Sequence, residues 1–390
     1  MPYNPEIRAM IKLTHFDVLI IGGGLAGLST AIHLSKQNVK VLVIEKQKYP
    51  HHKVCGEYVS NEVLPYLKQL GVNPLYHNAA EISKFKITDT FNIEIDVQLD
   101  LGGFGISRFS LDAILYDEAR KNSEFIFDTV TSITYEVNDI SKKSIFSVLT
   151  SANSLYTADY VVGSFGKRSN LDKSLNRTFI QKKTPWMAVK GHYTYEMPNN
   201  QVQLHNFKGG YCGLSKTETG QVNACYLSKV SAFKKYKSIK AFQKEHLSKN
   251  KHLKHFFETA VPVFEKPLTI SQISFENKEP ISNHIFMLGD SAGLIHPLCG
   301  NGMAMAIHSA KIFSELYLKS RNESSDSRQW LEDNYALKWN NAFQKRLKAG
   351  SVIQRILLNE TSSKIGLKIA SVFPQIVPSI IKKTHGSPMI

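Results

Sequence analysis

The chain is short of cysteine, of long apolar runs and of acidic residues. Its four cysteines, Cys55, Cys212, Cys225 and Cys299, have no paired spacing. That argues against both a disulfide framework and a zinc site. The histidines show no ligand spacing either, so no metal is assigned. No apolar run approaches the length that crosses a bilayer, and the opening MPYNPEIRAMIKLTH has no signal-peptide core. These absences point to a cytoplasmic protein. The chain has neither an internal repeat nor a low-complexity linker. Acidic residues number 33 against 48 lysines and arginines, a formal net charge of +15. Such a surplus suits nucleic acid, an anionic membrane or an acidic partner. No helix-turn-helix, RNP or zinc pattern accompanies it, so nucleic acid is disfavoured. Much of the excess lies in residues 233–255, where aromatic and aliphatic residues interrupt lysines at helical spacing. That segment reads most simply as a helix with a solvated basic face, with a binding surface as the other reading.

What is present is organised around residues 16–46, FDVLIIGGGLAGLSTAIHLSKQNVKVLVIEK. Residues 16–21 read as a buried parallel strand, 28–37 as a helix and 39–44 as a second strand. Gly22, Gly24 and Gly27 fall in G-x-G-x-x-G register between the first strand and the helix. This is a βαβ unit suited to a dinucleotide. Gly22 permits the tight turn, Gly24 lets backbone approach a pyrophosphate, and Gly27 lets helix and strand pack closely. Ala26 lies in the same turn, at a helix N-terminus that stabilises phosphate. Glu45 ends the second strand, where it would accept ribose hydroxyls, and Lys46 follows it.

A second signature occupies residues 284–310, HIFMLGDSAGLIHPLCGNGMAMAIHSA. A strand delivers Asp290 at its carboxyl end. Gly300, Asn301, Gly302 and Met303 then lead into a long helix beginning near residue 302. A helix N-terminus aimed at a ligand stabilises negative charge. That suits a reduced flavin, with Asp290 on its ribityl chain.

Between these signatures, residues 82–101 alternate as strands, 102–107 read as a turn, and Arg108 opens a helix. Strand-like segments follow at 125–130, 144–149 and 160–162. Residues 183–226 look like a β-meander, and 329–358 are helical and basic.

With both signatures in place, the chain resembles the flavoproteins of the aromatic-hydroxylase fold, and among them the geranylgeranyl-reductase-like group. The resemblance rests on four blocks: residues 22–45, the Lys53-Val-Cys-Gly-Glu57 run, Arg108 with Leu111-Asp112, and residues 289–303. It implies FAD, with Arg108 near the cofactor, and a substrate sheet covering the flavin. It also places Cys55 on the substrate side of the flavin, where a thiol would donate a proton or shield the ring; a small filler in a Gly-flanked turn is the other reading. Tyr211 keeps the tyrosine of the reductases' substrate-cavity segment, and either presents its hydroxyl there or packs in the sheet. Cys55 and Tyr211 are the candidate catalytic residues. One departure stands out. Related hydroxylases carry Asp-Gly where this chain has Phe165-Gly166, which puts ordinary NAD(P)H use in question.

The expected architecture is α/β: a Rossmann-type FAD-binding lobe (residues 1–75, 101–175 and 281–328), a β-sheet substrate lobe (76–100 and 176–280) and a C-terminal helical region (329–390). The expected function is FAD-dependent reduction or dehydrogenation of a bulky apolar molecule, isoprenoid or polyketide in type. A monooxygenase acting on an aromatic or lipid-like substrate is the alternative. The electron donor would be NAD(P)H or a small redox protein. Residues 362–390 combine apolar side chains with lysines and hold no acidic residue. They either pack on the substrate lobe or make peripheral contact with a membrane.

Overall fold

The computed structural model describes residues 14–137, 144–322 and 327–390. In chain order, β1 (His15–Ile21), α1 (Leu25–Ser35) and β2 (Val41–Glu45) form the βαβ unit. Next come β3 (Ala80–Thr88), β4 (Glu94–Gly105), α2 (Arg108–Ala119), β5 (Glu124–Phe127) and β6 (Leu155–Gly163). A meander follows: β7 (Trp186–Thr194), β8 (Gln201–Phe207), β9 (Gly210–Lys216) and β10 (Val222–Lys229). The chain then runs through β11 (Ile285–Met287), α3 (Gly302–Ser320), α4 (Ser327–Leu358), α5 (Glu360–Val372) and α6 (Ile376–Lys382).

Two sheets divide these strands. In the first, the parallel order is β11-β6-β1-β2-β5. Its central strands β1 and β2 are rich in Val, Ile and Leu and buried almost throughout, as strands inside a covered parallel sheet must be. Placing β6 and β2 on opposite sides of β1 opens a crevice at the carboxyl ends, where a doubly wound sheet binds ligand. The second sheet runs β7-β10-β9-β8-β3-β4, antiparallel except for the β8–β3 pair. Alternation sorts its side chains. Cys212 and Phe207 face a cluster with the lysine-rich helices, whereas Tyr211 and Leu204 face one shared with α5 and α6.

Three expectations are corrected. Residues 233–255 are not one helix but three short pieces, Val230–Phe233, Ile239–Glu245 and Lys251–Thr259. Ser238 and Asn250 interrupt them by capping: their side-chain oxygens accept from Ala241 N, and from His252 N and Leu253 N. Residues 102–107 are not a turn, since β4 continues to Gly105. Gly102 absorbs a register shift there at φ +67°, where a Cβ would sit 2.8 Å from the Ile82 carbonyl oxygen. The strand expected at 125–130 ends at Phe127, and Val130 begins another.

Candidate cofactor and substrate site

The glycine turn is held from several sides. Gly22 has φ +101°, and a Cβ there would lie 2.5 Å from the Ser164 carbonyl oxygen. A Cβ on Gly27 would meet the Gly22 carbonyl oxygen at 2.1 Å, so α1 approaches the turn as closely as backbone allows. Gly24 is different. Its nearest neighbour on that side is Arg108 Nη2 at 3.7 Å, which leaves its backbone open to the cavity. Glu45 accepts from Gly23 N at 2.7 Å and Gln47 N at 3.1 Å. Its carboxylate thus braces the turn as well as lining the cavity, a duty the ribose reading missed. Tyr49 adds a brace that spacing did not signal: its hydroxyl donates to Gly23 O at 2.5 Å and its ring stacks on Tyr116.

Arg108 stands beside this turn because Ser107 caps α2 and points its first residue inward. The guanidinium donates to Asp112, one turn on, through Nε at 2.6 Å and Nη2 at 2.8 Å. Lys53 Nζ reaches the same carboxylate at 2.9 Å. Burial would raise the Asp112 pKa, but the two cations outweigh it and hold the carboxyl below its usual range. Asp112 in turn keeps Arg108 charged.

Glu57, in the same block as Cys55, went unrecognised. Fully buried at φ +57°, it accepts from Arg108 N at 2.7 Å, from the equally buried Lys190, and pairs with His192 Nε2 at 2.7 Å. Burial pushes its pKa up, but the His192 hydrogen bond and the Lys190 charge prevail, and the carboxyl lies below its ordinary range. These bonds fasten the Cys55 loop to the second sheet. Asn223 Nδ2 adds bonds to the carbonyls of Cys55 at 3.2 Å and Gly56 at 2.8 Å. Cys55 is half-buried and lines the cavity.

The second loop starts where β11 ends. Lys278 Nζ donates to Asp290 O at 2.7 Å and Lys167 O at 3.1 Å, and burial brings its pKa down to about 8. The Asp290 carboxylate lines the cavity and has no hydrogen-bond or ion-pair partner among the described residues. Gly300, at φ +64°, Gly302 and Met303 line it too. Asn301 does not. Its side-chain amide turns away to the buried Glu62 carboxylate, which also meets Arg346. Tyr211 accepts from Leu298 N at 3.0 Å, so its hydroxyl fastens this loop while its ring lines the cavity. Burial drives the Tyr211 pKa well above 10, and it stays a neutral phenol.

These groups lie along one cavity of about 1110 Å³, larger than the roughly 300–1,000 Å³ of ordinary ligand pockets. One end holds Gly22, Gly24, Ala26, Glu45, Lys46, Arg108 and Asp290. The other is walled by Phe85, Ile87, Leu204, Leu227, Ile270 and Ile273 from the second sheet and its flanks. Leu367, Ala370, Ile376 and Val377 of α5 and α6 complete that wall. The residues fit a dinucleotide flavin. The open Gly24 backbone and fixed Arg108 cation suit a pyrophosphate, and the partnerless Asp290 carboxylate suits a hydroxylated chain.

A family model described as FAD binding domain matches residues 15–329. Conditioned medium factor receptor 1 of Dictyostelium discoideum is 22% identical over 90% of this chain and 73% of its own. The digeranylgeranylglycerophospholipid reductase of Methanococcus vannielii is 22% identical over 89% of each chain. Among solved structures, p-nitrophenol 4-monooxygenase PnpA from Pseudomonas putida DLL-E4 superposes with a TM-score of 0.74 at 14% identity, covering 95% of this chain and 97% of that one.

Proposed function

The chain belongs to the FAD-binding domain family, and from that premise we propose that this FAD-dependent oxidoreductase reduces or dehydrogenates a bulky apolar small molecule, isoprenoid or polyketide in type. The observation that carries the proposal is the apolar chamber, continuous with the glycine end, which α5 and α6 help wall. A ligand recognised there gains by removing hydrocarbon from water, about 25 cal/mol per Å², and few polar groups select for hydroxylated or charged substituents. A relative named as a digeranylgeranylglycerophospholipid reductase supports the same substrate class.

In this reading Gly24 and the α1 N-terminus hold the pyrophosphate, Glu45 meets the adenosine ribose, and Asp290 meets the ribityl chain. Arg108 neutralises phosphate charge without leaving Asp112. The N-terminus of α3, with Gly300 and Gly302, favours negative charge on the adjoining ring. FAD supplies the two-electron chemistry. Cys55, held by its carbonyl to Asn223, stands at the junction of the two ends as a proton donor to substrate. Tyr211 keeps the 297–299 loop in place and presents a neutral hydroxyl. NAD(P)H or a small redox protein delivers the electrons.

Solvent extraction of the purified, flavin-loaded protein followed by mass spectrometry tests the substrate class. An isoprenoid or comparable lipid should appear in near-stoichiometric amount. Recovery of only polar or small aromatic molecules would defeat the reading. Oxygen uptake matched to an oxygenated product would make the enzyme a monooxygenase instead.

A further inference from the structure

Helices α5 and α6 have two apolar faces. The inner one is buried: Leu367, Ala370 and Val377 pack with Ile87, Ile95 and Leu204 of the second sheet. Asn206 Nδ2 ties α5 down by donating to Ser363 Oγ at 3.2 Å. The outer face is open. Ile365, Val372 and Phe373 are 56%, 64% and 52% exposed, and the last two form the tip where the chain bends between the helices. A helix that serves only as a lid needs no apolar residues on its solvent side. Lone exposed apolar residues are ordinary; a cluster this dense on one pair of helices marks a contact surface.

Two further observations say what the contact is. First, Ile356, Ile369 and Ile380 are 42%, 50% and 40% exposed and also line the cavity. The chamber therefore reaches the surface among them, within the apolar patch. Second, the patch is bordered by Lys364, Lys368, Lys382 and Lys383, all exposed, without a carboxylate partner among the described residues. No acidic residue occurs after Glu360. Apolar side chains flanked by lysines match the acyl region and head groups of an anionic bilayer. The helices Glu360–Val372 and Ile376–Lys382 are bent by 118° and only together have the length and composition of a span. Their inner face is already packed on the second sheet, so they would lie in the interface.

We propose that α5 and α6 dock the protein on an anionic lipid surface, with the opening between Ile356, Ile369 and Ile380 as the portal between bilayer and chamber. Only the use of the portal by substrate rests on the function proposed above; docking stands on the surface itself. Docking removes the need for an apolar ligand to cross water.

Vesicle flotation of the full-length flavin-loaded protein tests this. The wild type should co-float with phosphatidylcholine vesicles containing phosphatidylglycerol at low salt. It should do so at least about tenfold less with phosphatidylcholine alone or at high salt. The exposed Val372→Ser/Phe373→Ser pair, which lies outside the chamber lining, should lose flotation while keeping flavin content and melting temperature. Lys382→Gln/Lys383→Gln should weaken it on anionic vesicles only. Absence of wild-type flotation would overturn docking, and concentration-dependent dimerisation in its place would assign the patch to a second copy. Undiminished flotation of Val372→Ser/Phe373→Ser would overturn the assignment to this tip. Flotation in a protein whose chamber binds no lipid would keep docking and remove the substrate class; lipid binding without flotation would do the reverse.

Discussion

The two ends of the cavity are built on different principles. At the glycine end, position is set by backbone and by redundant polar bonds. Gly23 alone is held by Glu45 through its N–H and by Tyr49 through its carbonyl, and Asp112 is shared by Arg108 and Lys53. At the apolar end packing sets most of the wall, with the Asn206 amide as a polar tie between α5 and the second sheet. The wall's contributors, β3, β8 and α5, lie far apart in sequence and meet only after folding. The first end is built for one ligand geometry and the second for a ligand class. A change at the glycine end should therefore act as a step, and one in the chamber as a slope.

The sharpest way to break this contrast is Gly27→Val. The added carbons meet the Gly22 carbonyl oxygen and Ser164 Oγ, neither of which is the far end of a flexible side chain. We expect a loss of more than about 3 kcal/mol, beyond ordinary overpacking, seen as insoluble or colourless protein. Next comes Asp112→Ala, which removes the buried carboxylate shared by two partly buried cations and should cost about 3 kcal/mol in urea unfolding together with FAD affinity. Leu367→Ala, at the opposite end, should cost about 2–3 kcal/mol and leave FAD affinity unchanged. If the two variants lose FAD equally, the ends are not separable.

Asp290→Ala is smaller and more specific. It removes a carboxylate with no hydrogen-bond or ion-pair partner among the described residues, so apoprotein melting should move little. FAD affinity should fall about ten- to hundredfold, the 1–3 kcal/mol of one hydrogen bond to a buried partner. A shift in apoprotein melting with unchanged affinity would make the residue structural.

Acid lability distinguishes the ends most gently. Burial lowers the pKa of His205 in the second sheet to about 3 and those of His296 and His308 to about 4, from 6.5. Well above pH 6.5 both folded and unfolded chains carry these rings neutral. As pH falls through 6.5 the unfolded chain takes up protons that the folded one refuses, so stability drops. Between pH 7 and 6 the loss should be about 1–2 kcal/mol. Glu57 and Asp112, also depressed, act in the same direction only below their ordinary values of 4.5 and 3.8. Chemical unfolding of wild type and His205→Gln at both pH values measures the share of the second sheet, and no change in slope would remove His205 from the account.

The same contrast explains what could be read beforehand. Gly22, Gly24, Gly27 and the Asp290–Gly302 loop were legible because backbone duties demand one residue type at fixed spacing. Asn301 sits inside that spacing, yet its side chain answers to Glu62 and Arg346, which no local pattern announces. Glu57, Lys190 and His192 were missed for the same reason: Glu57 lies more than 130 residues from both partners. The tail's composition disclosed its apolar and basic character, and its lack of acid, but not which face turns inward. Periodicity failed at residues 233–255 because Ser238 and Asn250 have stronger uses as caps than as helix interior.

The central claim is that one cavity joins a flavin site to an apolar chamber. Titrating the holoenzyme with a long-chain isoprenoid alcohol while following flavin absorbance tests it most directly. The account predicts a saturable spectral shift in the wild type. In Ala370→Trp, which fills the chamber wall beside Leu367, the isoprenoid should bind at least about tenfold more weakly with flavin content unchanged. Equal affinity in the two proteins, or a shift produced by small aromatic compounds and not by the isoprenoid, would contradict it.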